Sequence, residues 1–187
     1  MKQLTSFIFL PLLLMSCAGK SNSDSPVRST AQKGIESMLA ELSKYEDSLK
    51  KSTKDLTQLN QNTAIQYAEQ CLRIKNAFPK SKEAPKMMNK AHIILSSVGL
   101  YQRSVVIADS LILMYPMYEK RNMVLESLAS TYDIFIVPRR KELVEKYYKM
   151  LLQENWKMQE DQKQLIEKRL QYIDLPFEEY IQKVNQK

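Results

Sequence analysis

Two thiols, one imidazole and a few carboxylates are the groups in this 187-residue chain whose types could do chemistry. Cys17 and Cys71 are its two cysteines, and His92 is its single histidine. A zinc site needs three or four converging ligands, and no second His, paired Cys or HExxH spacing accompanies His92. A Ser-His-Asp set could use the same imidazole, but no GxSxG elbow presents a serine to it. Asp133, Glu178 and Glu179 are the candidate acid/base carboxylates, and scattered along helical patterns they read as solvated. Phosphate loops of the GxxxxGK[ST] or GxGxxG kind are absent. His92 therefore reads as structural or surface, and Cys71, within AEQCLRI, as a small buried hydrophobe. Trp156, the lone tryptophan, reads as packing between helices near the C-terminus. Arg139-Arg140-Lys141 clusters positive charge at a helix start, where the dipole disfavours it, and so hints at an anionic contact. No cofactor or metal is expected, and the chain reads as a non-enzyme.

The elements that must position these groups are helical. Apolar residues make up 44% and charged residues 26%, enough for a core and a solvated surface. Only three glycines occur, Gly19, Gly34 and Gly99. Backbone with positive φ favours glycine, so tight hairpins and strained loops are few. The formal charge of +7 suits anionic partners, but its lysines are scattered, and charge alone does not make this a nucleic-acid-binding chain.

The N-terminal run reads as an address. Lys2 precedes the apolar stretch Phe7 to Met15, which Pro11 interrupts and which is too short for a span of about 20 residues. Leu14-Met15-Ser16-Cys17 resembles the lipobox of bacterial lipoprotein signal peptides, with an ordinary cleaved secretory signal as the alternative. The resemblance implies that residues 1–16 are removed and that Cys17 becomes an acylated N-terminus. Several acyl chains on one residue anchor stably where one binds reversibly. Cys71 would then be the sole free thiol, and the charge of the mature chain +6. Residues 17–29, rich in Ser and other polar types, read as a flexible tether.

From Thr30 the apolar residues step by three and four. Ile35, Met38, Leu42, Tyr45 and Leu49 mark one helix, with Leu56 and Leu59 continuing its stripe. Asn60 to Thr63 suits a turn and cap. Ala64, Tyr67, Ala68, Cys71, Leu72 and Phe78 mark the next helix, ended by Pro79. Ala84, Met87, Met88, Ala91, Ile94, Leu95 and Val98 form a clean stripe ended by Gly99, and Tyr101, Val105, Ala108, Leu111, Ile112 and Tyr115 another, ended by Pro116. Val124, Leu128, Ala129, Tyr132 and Phe135, then Leu143, Val144, Tyr147, Leu151 and Leu152, mark a third pair. Met158, Leu165, Arg169 and Tyr172 mark a charge-rich capping helix, and residues 174–187 read as a tail.

Phe78-Pro79 and Tyr115-Pro116 repeat an aromatic-Pro pair at 37 residues, close to the tetratricopeptide period of about 34. The stretch from Phe78 to Pro116 resembles a tetratricopeptide repeat of the kind found in bacterial envelope lipoproteins. Ala91, Gly99, Tyr101, Ser104, Ala108 and Pro116 carry the match. The fold expected over residues 30–173 is an all-α, helical-hairpin solenoid of about three hairpins plus a capping helix. The resemblance, in style to the barrel-assembly lipoprotein class though shorter, implies a lipid-anchored scaffold that binds an envelope protein in outer-membrane assembly. Its expected location is the outer membrane, facing the periplasm. A periplasmic module for peptide or glycan is the alternative. The expected partner surface comprises Asn89, His92, Ile93 and Ser96, then Glu126, Ser127 and Ser130, with Arg139 and Arg140 as the basic contact.

Overall fold

The apolar stripes wind into eight α-helices in the computed structural model, which describes residues 26–52 and 60–186. They are α1 (Pro26–Ser52), α2 (Gln61–Ala77), α3 (Ala84–Ser97), α4 (Tyr101–Met114), α5 (Arg121–Ile134), α6 (Lys141–Glu154), α7 (Glu160–Gln171) and α8 (Phe177–Asn185). No strand occurs among the described residues. The expected signal segment 1–16, the acylation candidate Cys17, and Leu56 and Leu59 lie outside them. Helix α1 takes up the last four residues of the expected tether, with Pro26 in its first turn, where a missing N–H costs nothing. The expected tail is mostly helical. Pro176 starts α8, and Tyr180 buries itself against the preceding helix.

Helix ends follow from local chemistry. The Asn60 side chain accepts a hydrogen bond from Thr63 N at 2.9 Å and caps α2. Phe78 and Tyr115 leave the helical region in nearly the same way, with φ/ψ of −132/59 and −130/68. Each precedes a proline, which disfavours helical backbone at the residue before it. Gly99 stands at φ 77, and Leu100 N bonds Leu95 O at 2.9 Å while Gly99 N bonds Ser96 O at 3.1 Å. That pair of bonds is a Schellman closure of α3. A Cβ at Gly99 would have open space, its nearest neighbour being Tyr101 Cε2 at 4.0 Å. Gly99→Ala should therefore cost only the backbone penalty, about 1–2 kcal/mol, read as a lower urea midpoint at unchanged slope.

Consecutive helices pack against one another from α1 to α7, as an all-α helical-repeat solenoid of hairpins. Side-chain bonds that skip one helix sort them into two layers. Glu46 of α1 pairs with Lys90 of α3 at 2.6 Å, His92 of α3 bonds Ser127 of α5 at 2.9 Å, and Gln162 of α7 donates to Glu126 of α5 at 3.1 Å. The even layer is joined the same way, by Arg103 of α4 with Glu69 of α2 at 3.9 Å and by Tyr147 of α6 donating to Asp109 of α4.

The alternating directions create two rims. The first gathers the start of α1 and the loops 78–83, 115–120 and 155–159. Tyr115 OH donates to Pro79 O at 2.8 Å there, and Arg121 grips Glu154 at 2.6 Å. The second gathers residues 60–61, 98–100, 135–140 and 172–176. Gln61 Nε2 reaches Val98 O at 3.3 Å, and the Tyr101 and Phe135 rings stack at 4.2 Å. Val137-Pro138 in this rim is a cis peptide.

Two apolar clusters fill the interior. Ile35, Leu42, Tyr67, Cys71, Ile74, Met87 and Leu95 build one, and Val105, Leu111, Leu125, Leu128, Val144, Leu151 and Ile166 the other. Leu72 and Ile107 pack against both and make the core continuous. At the α1–α2 crossing a Cβ on Gly34 would stand 3.1 Å from Phe78 Cζ, so glycine permits the close approach.

Candidate partner-binding face

On the odd layer the expected surface residues separate into exposed and internal ones. Ile93 is 54% exposed and Glu126 is exposed, while Asn89, Ser96 and Ser130 are half-buried. Asn89 lies beside Tyr118 and Ser130 beside Tyr148, so both also face neighbouring elements.

Of the two readings of His92, structural and surface, the structure shows the first, which takes it off the expected partner surface. Only 1% of it is exposed, because it faces α4 and α5 from the packed side of α3. Ser104 Oγ donates to His92 O at 2.9 Å, which commits its single proton. Nδ1–H must then donate to Ser104 Oγ at 2.7 Å, leaving Nε2 to accept from Ser127 Oγ at 2.9 Å. Burial lowers the His92 pKa, opposed by the contact of Nδ1 with the Ser104 backbone carbonyl at 3.3 Å and by the Asp109 charge, so the neutral ring is favoured. A second hydroxyl, not a carboxylate, orients this imidazole. Ser127 is thereby assigned to the same internal strut, which links three helices.

The basic residues Arg139 and Arg140, expected as the basic contact, each pair with a carboxylate of the chain. Arg139 Nε donates to Asp133 at 2.8 Å and Arg140 Nε to Glu142 at 2.5 Å, while Lys141 meets Asp174 at 2.6 Å. The anion implied by this cluster is supplied by the chain itself. Asp133, expected in solvent, is buried, with its side chain 0% exposed, and takes both Arg139 and Arg169. Arg169 donates twice to Asp133, at 2.7 and 2.8 Å, and also to Tyr172 O and Leu175 O, while lying 4.8 Å from the Tyr180 ring centre. This node clamps α5, α7 and α8.

Trp156 does not pack between helices. It is 82% exposed in the α6–α7 loop, with Lys157 Nζ 4.6 Å from its ring centre. The burial expected of Leu165 falls to Ile166, one residue on.

Ile93 lines a cavity of about 250 Å³ between α1, α2 and α3, together with Glu46, Leu49, Lys50, Tyr67, Lys90 and Ile94. Its walls are almost wholly apolar. Its polar element is the Glu46 carboxylate, which accepts from Tyr67 OH at 2.5 Å and Lys90 Nζ at 2.6 Å. Burial pushes the Glu46 pKa up, but the bonds from Lys90 and Tyr67 and the Lys90 charge outweigh it, and the net shift is downward. The Tyr67 phenol is pushed up by burial and by its bond to Glu46, and burial takes the Cys71 thiol to about 11. Cys71 therefore stays protonated and inert at neutral pH, as its apolar setting implied.

Sequence reasoning found Ile93 but not Glu46, Tyr67, Lys90 or Ile94 around it. A usable signal was the spacing Lys90, Ile93, Ile94, which sets a cation and two branched side chains on adjoining strips of one helix.

Among the described residues no three His, Cys, Asp or Glu side chains converge as a metal site, and no helix is long and apolar enough to cross a membrane. No protein-family model matches this chain, nor does any curated protein or solved structure.

Proposed function

We propose that this protein is a lipid-anchored scaffold of the bacterial cell envelope that binds another protein through the odd helix layer. The observation that carries the binding reading is the apolar cavity beside exposed Ile93, ringed by the satisfied Glu46–Tyr67–Lys90 triad. Its size suits one apolar side chain of a partner, and a pocket with few polar groups favours such an anchor. The anchoring reading rests on Leu14-Met15-Ser16-Cys17, with Cys17 as the acylated residue. The outer membrane, its periplasmic face and a role in outer-membrane assembly follow from the likeness to tetratricopeptide envelope lipoproteins.

A periplasmic peptide-binding module is the second reading, favoured by the same cavity. A glycan fits it less well, since sugars need many polar partners and these walls offer few.

Affinity capture with the acylated protein should enrich an envelope protein, and Ile93→Glu should reduce that enrichment tenfold or more by placing a charge at the apolar mouth, about 1.4 kcal/mol or more. The Ile93→Glu variant should keep its thermal midpoint, because the site is exposed. Undiminished capture by Ile93→Glu would remove this face from the account. Palmitate labelling that persists in Cys17→Ala would remove the anchor.

A further inference from the structure

The two rims treat positive charge differently. On the second rim Arg139, Arg140 and Lys141 each have a carboxylate within 2.8 Å. On the first rim Lys80, Lys82, Lys120 and Lys157 are exposed, and none makes an ion pair among the described residues. Glu83 is taken by Lys86 and Glu154 by Arg121, leaving Glu119 as the exposed carboxylate of these three loops without an ion-pair partner there. Glu160 and Asp161 lie just beyond, in the first turn of α7, where the helix dipole favours them.

The same rim displays large apolar side chains. Met117 is 93% exposed, Trp156 82%, Leu113 83% and Met114 47%. Grooves of about 750 and 560 Å³ run between its loops, sharing Pro79, Lys80 and Ser81. Isolated exposed apolar residues need no explanation, but a row of them interleaved with unpaired lysines along one rim is an amphipathic edge.

This rim is also where α1 begins. Pro26 is nine residues from Cys17, a distance of at most about 30 Å even if fully extended. We propose that the first rim lies on an anionic lipid bilayer, with the lysines at the headgroups and Trp156 and Met117 at the boundary below them. Tryptophan favours that depth because its ring is apolar at one end and hydrogen-bonding at the other. Juxtamembrane lysines add attraction that salt weakens. The proposal rests on the anchoring reading for how the rim is brought to the membrane. The odd-layer face then stands beside the bilayer and stays open to a partner.

Trp156 is the only tryptophan in the chain and reports its own location. The full-length acylated protein is reconstituted into phosphatidylethanolamine vesicles, with and without phosphatidylglycerol, containing lipids brominated near the headgroup. With phosphatidylglycerol, Trp156 emission should move to shorter wavelength and be quenched by the brominated lipid, and high salt should reverse both. Lys80→Glu/Lys82→Glu/Lys120→Glu should weaken the engagement by about fivefold or more per position. These positions are exposed, so an unchanged thermal midpoint would show the variant folded. Water-like emission and equal iodide access in both vesicle types would overturn the proposal. So would loss of capture of an acidic envelope protein by the charge-reversed variant while Trp156 stays in water, which would assign the rim to that protein. Equal vesicle association by a Cys17→Ser control, with Trp156 still quenched, would sink the anchor and uphold the rim.

Discussion

Asp133→Ala should lower unfolding free energy by about 3–5 kcal/mol, the largest loss expected from any single polar substitution here. The reason is the partners left behind. Arg169, with its side chain 4% exposed, would lose both bonds to the carboxylate, and Arg139, 18% exposed, would lose its own. Arg139 Nη2 is already buried without a hydrogen-bond partner, so the site has no spare acceptor to take over. In thermal denaturation the midpoint should fall by roughly 10 °C for a chain of this size. Arg169→Met should cost less, because Arg139 still opposes Asp133 and a methionine fills much of the volume. It should, however, release α8, since Arg169 also holds Tyr172 O, Leu175 O and the Tyr180 ring. Hydrogen exchange in residues 177–185 would then rise in Arg169→Met without a matching global loss. If Asp133→Ala and Arg169→Met proved equal and small, the node would be an ornament of the fold rather than its clamp.

His92→Ala should cost about 2–4 kcal/mol, combining a cavity at the α3–α4–α5 junction with two lost hydrogen bonds. Its pH signature separates it from other core substitutions. Burial holds the folded-state pKa of His92 below the ordinary value of 6.5. The unfolded chain therefore binds more protons between those two values, and stability falls as pH drops below about 6.5 until the folded value is reached. Glu46, Glu142 and Asp174 are also lowered, but from ordinary values of 4.5, 4.5 and 3.8, so their losses begin at more acid pH. Urea midpoints measured from pH 7 down to pH 5 should thus slope downward in the wild type. They should be nearly flat in His92→Gln, which keeps polar atoms and removes the titration. A slope that survives in His92→Gln would deny the buried neutral imidazole its role.

The fold was legible because its signal is periodic. The stripes at Ala84, Met87, Met88, Ala91 and Leu95, and at Val105, Ala108, Leu111 and Ile112, are the buried faces of α3 and α4. Gly99 and the aromatic-Pro pairs mark helix ends because φ > 0 and a missing N–H are local demands. The polar interior was not legible. Asp133 and Arg169 are 36 residues apart, and nothing in an apolar period announces that two charges will be buried together. His92 lay one step off the stripe, and its burial depends on Ser104 and Ser127 arriving from two other helices. Trp156 failed for the opposite reason. Size suggests burial, but a single aromatic in a loop belongs to no stripe, and the first rim leaves it bare. Helix α8 did carry a signal, Phe177, Tyr180, Ile181 and Val184 at helical spacing, too short to stand out beside longer stripes.

The placement of α1 has a mechanical consequence. Its 27 residues run about 40 Å from the first rim, alongside α2. Consider a pull on the chain upstream of Pro26 that is directed along the axis of α1. Such a load is shared at once by the Gly34–Phe78 crossing, by Ile35 and Leu42 in the core, and by the Glu46 bonds to Tyr67 and Lys90. These attachments would have to slide together. Had α1 entered across its own axis, the same force would have peeled them off one by one. Pulled along its own axis, the helix would be loaded in shear, with all of these attachments resisting together.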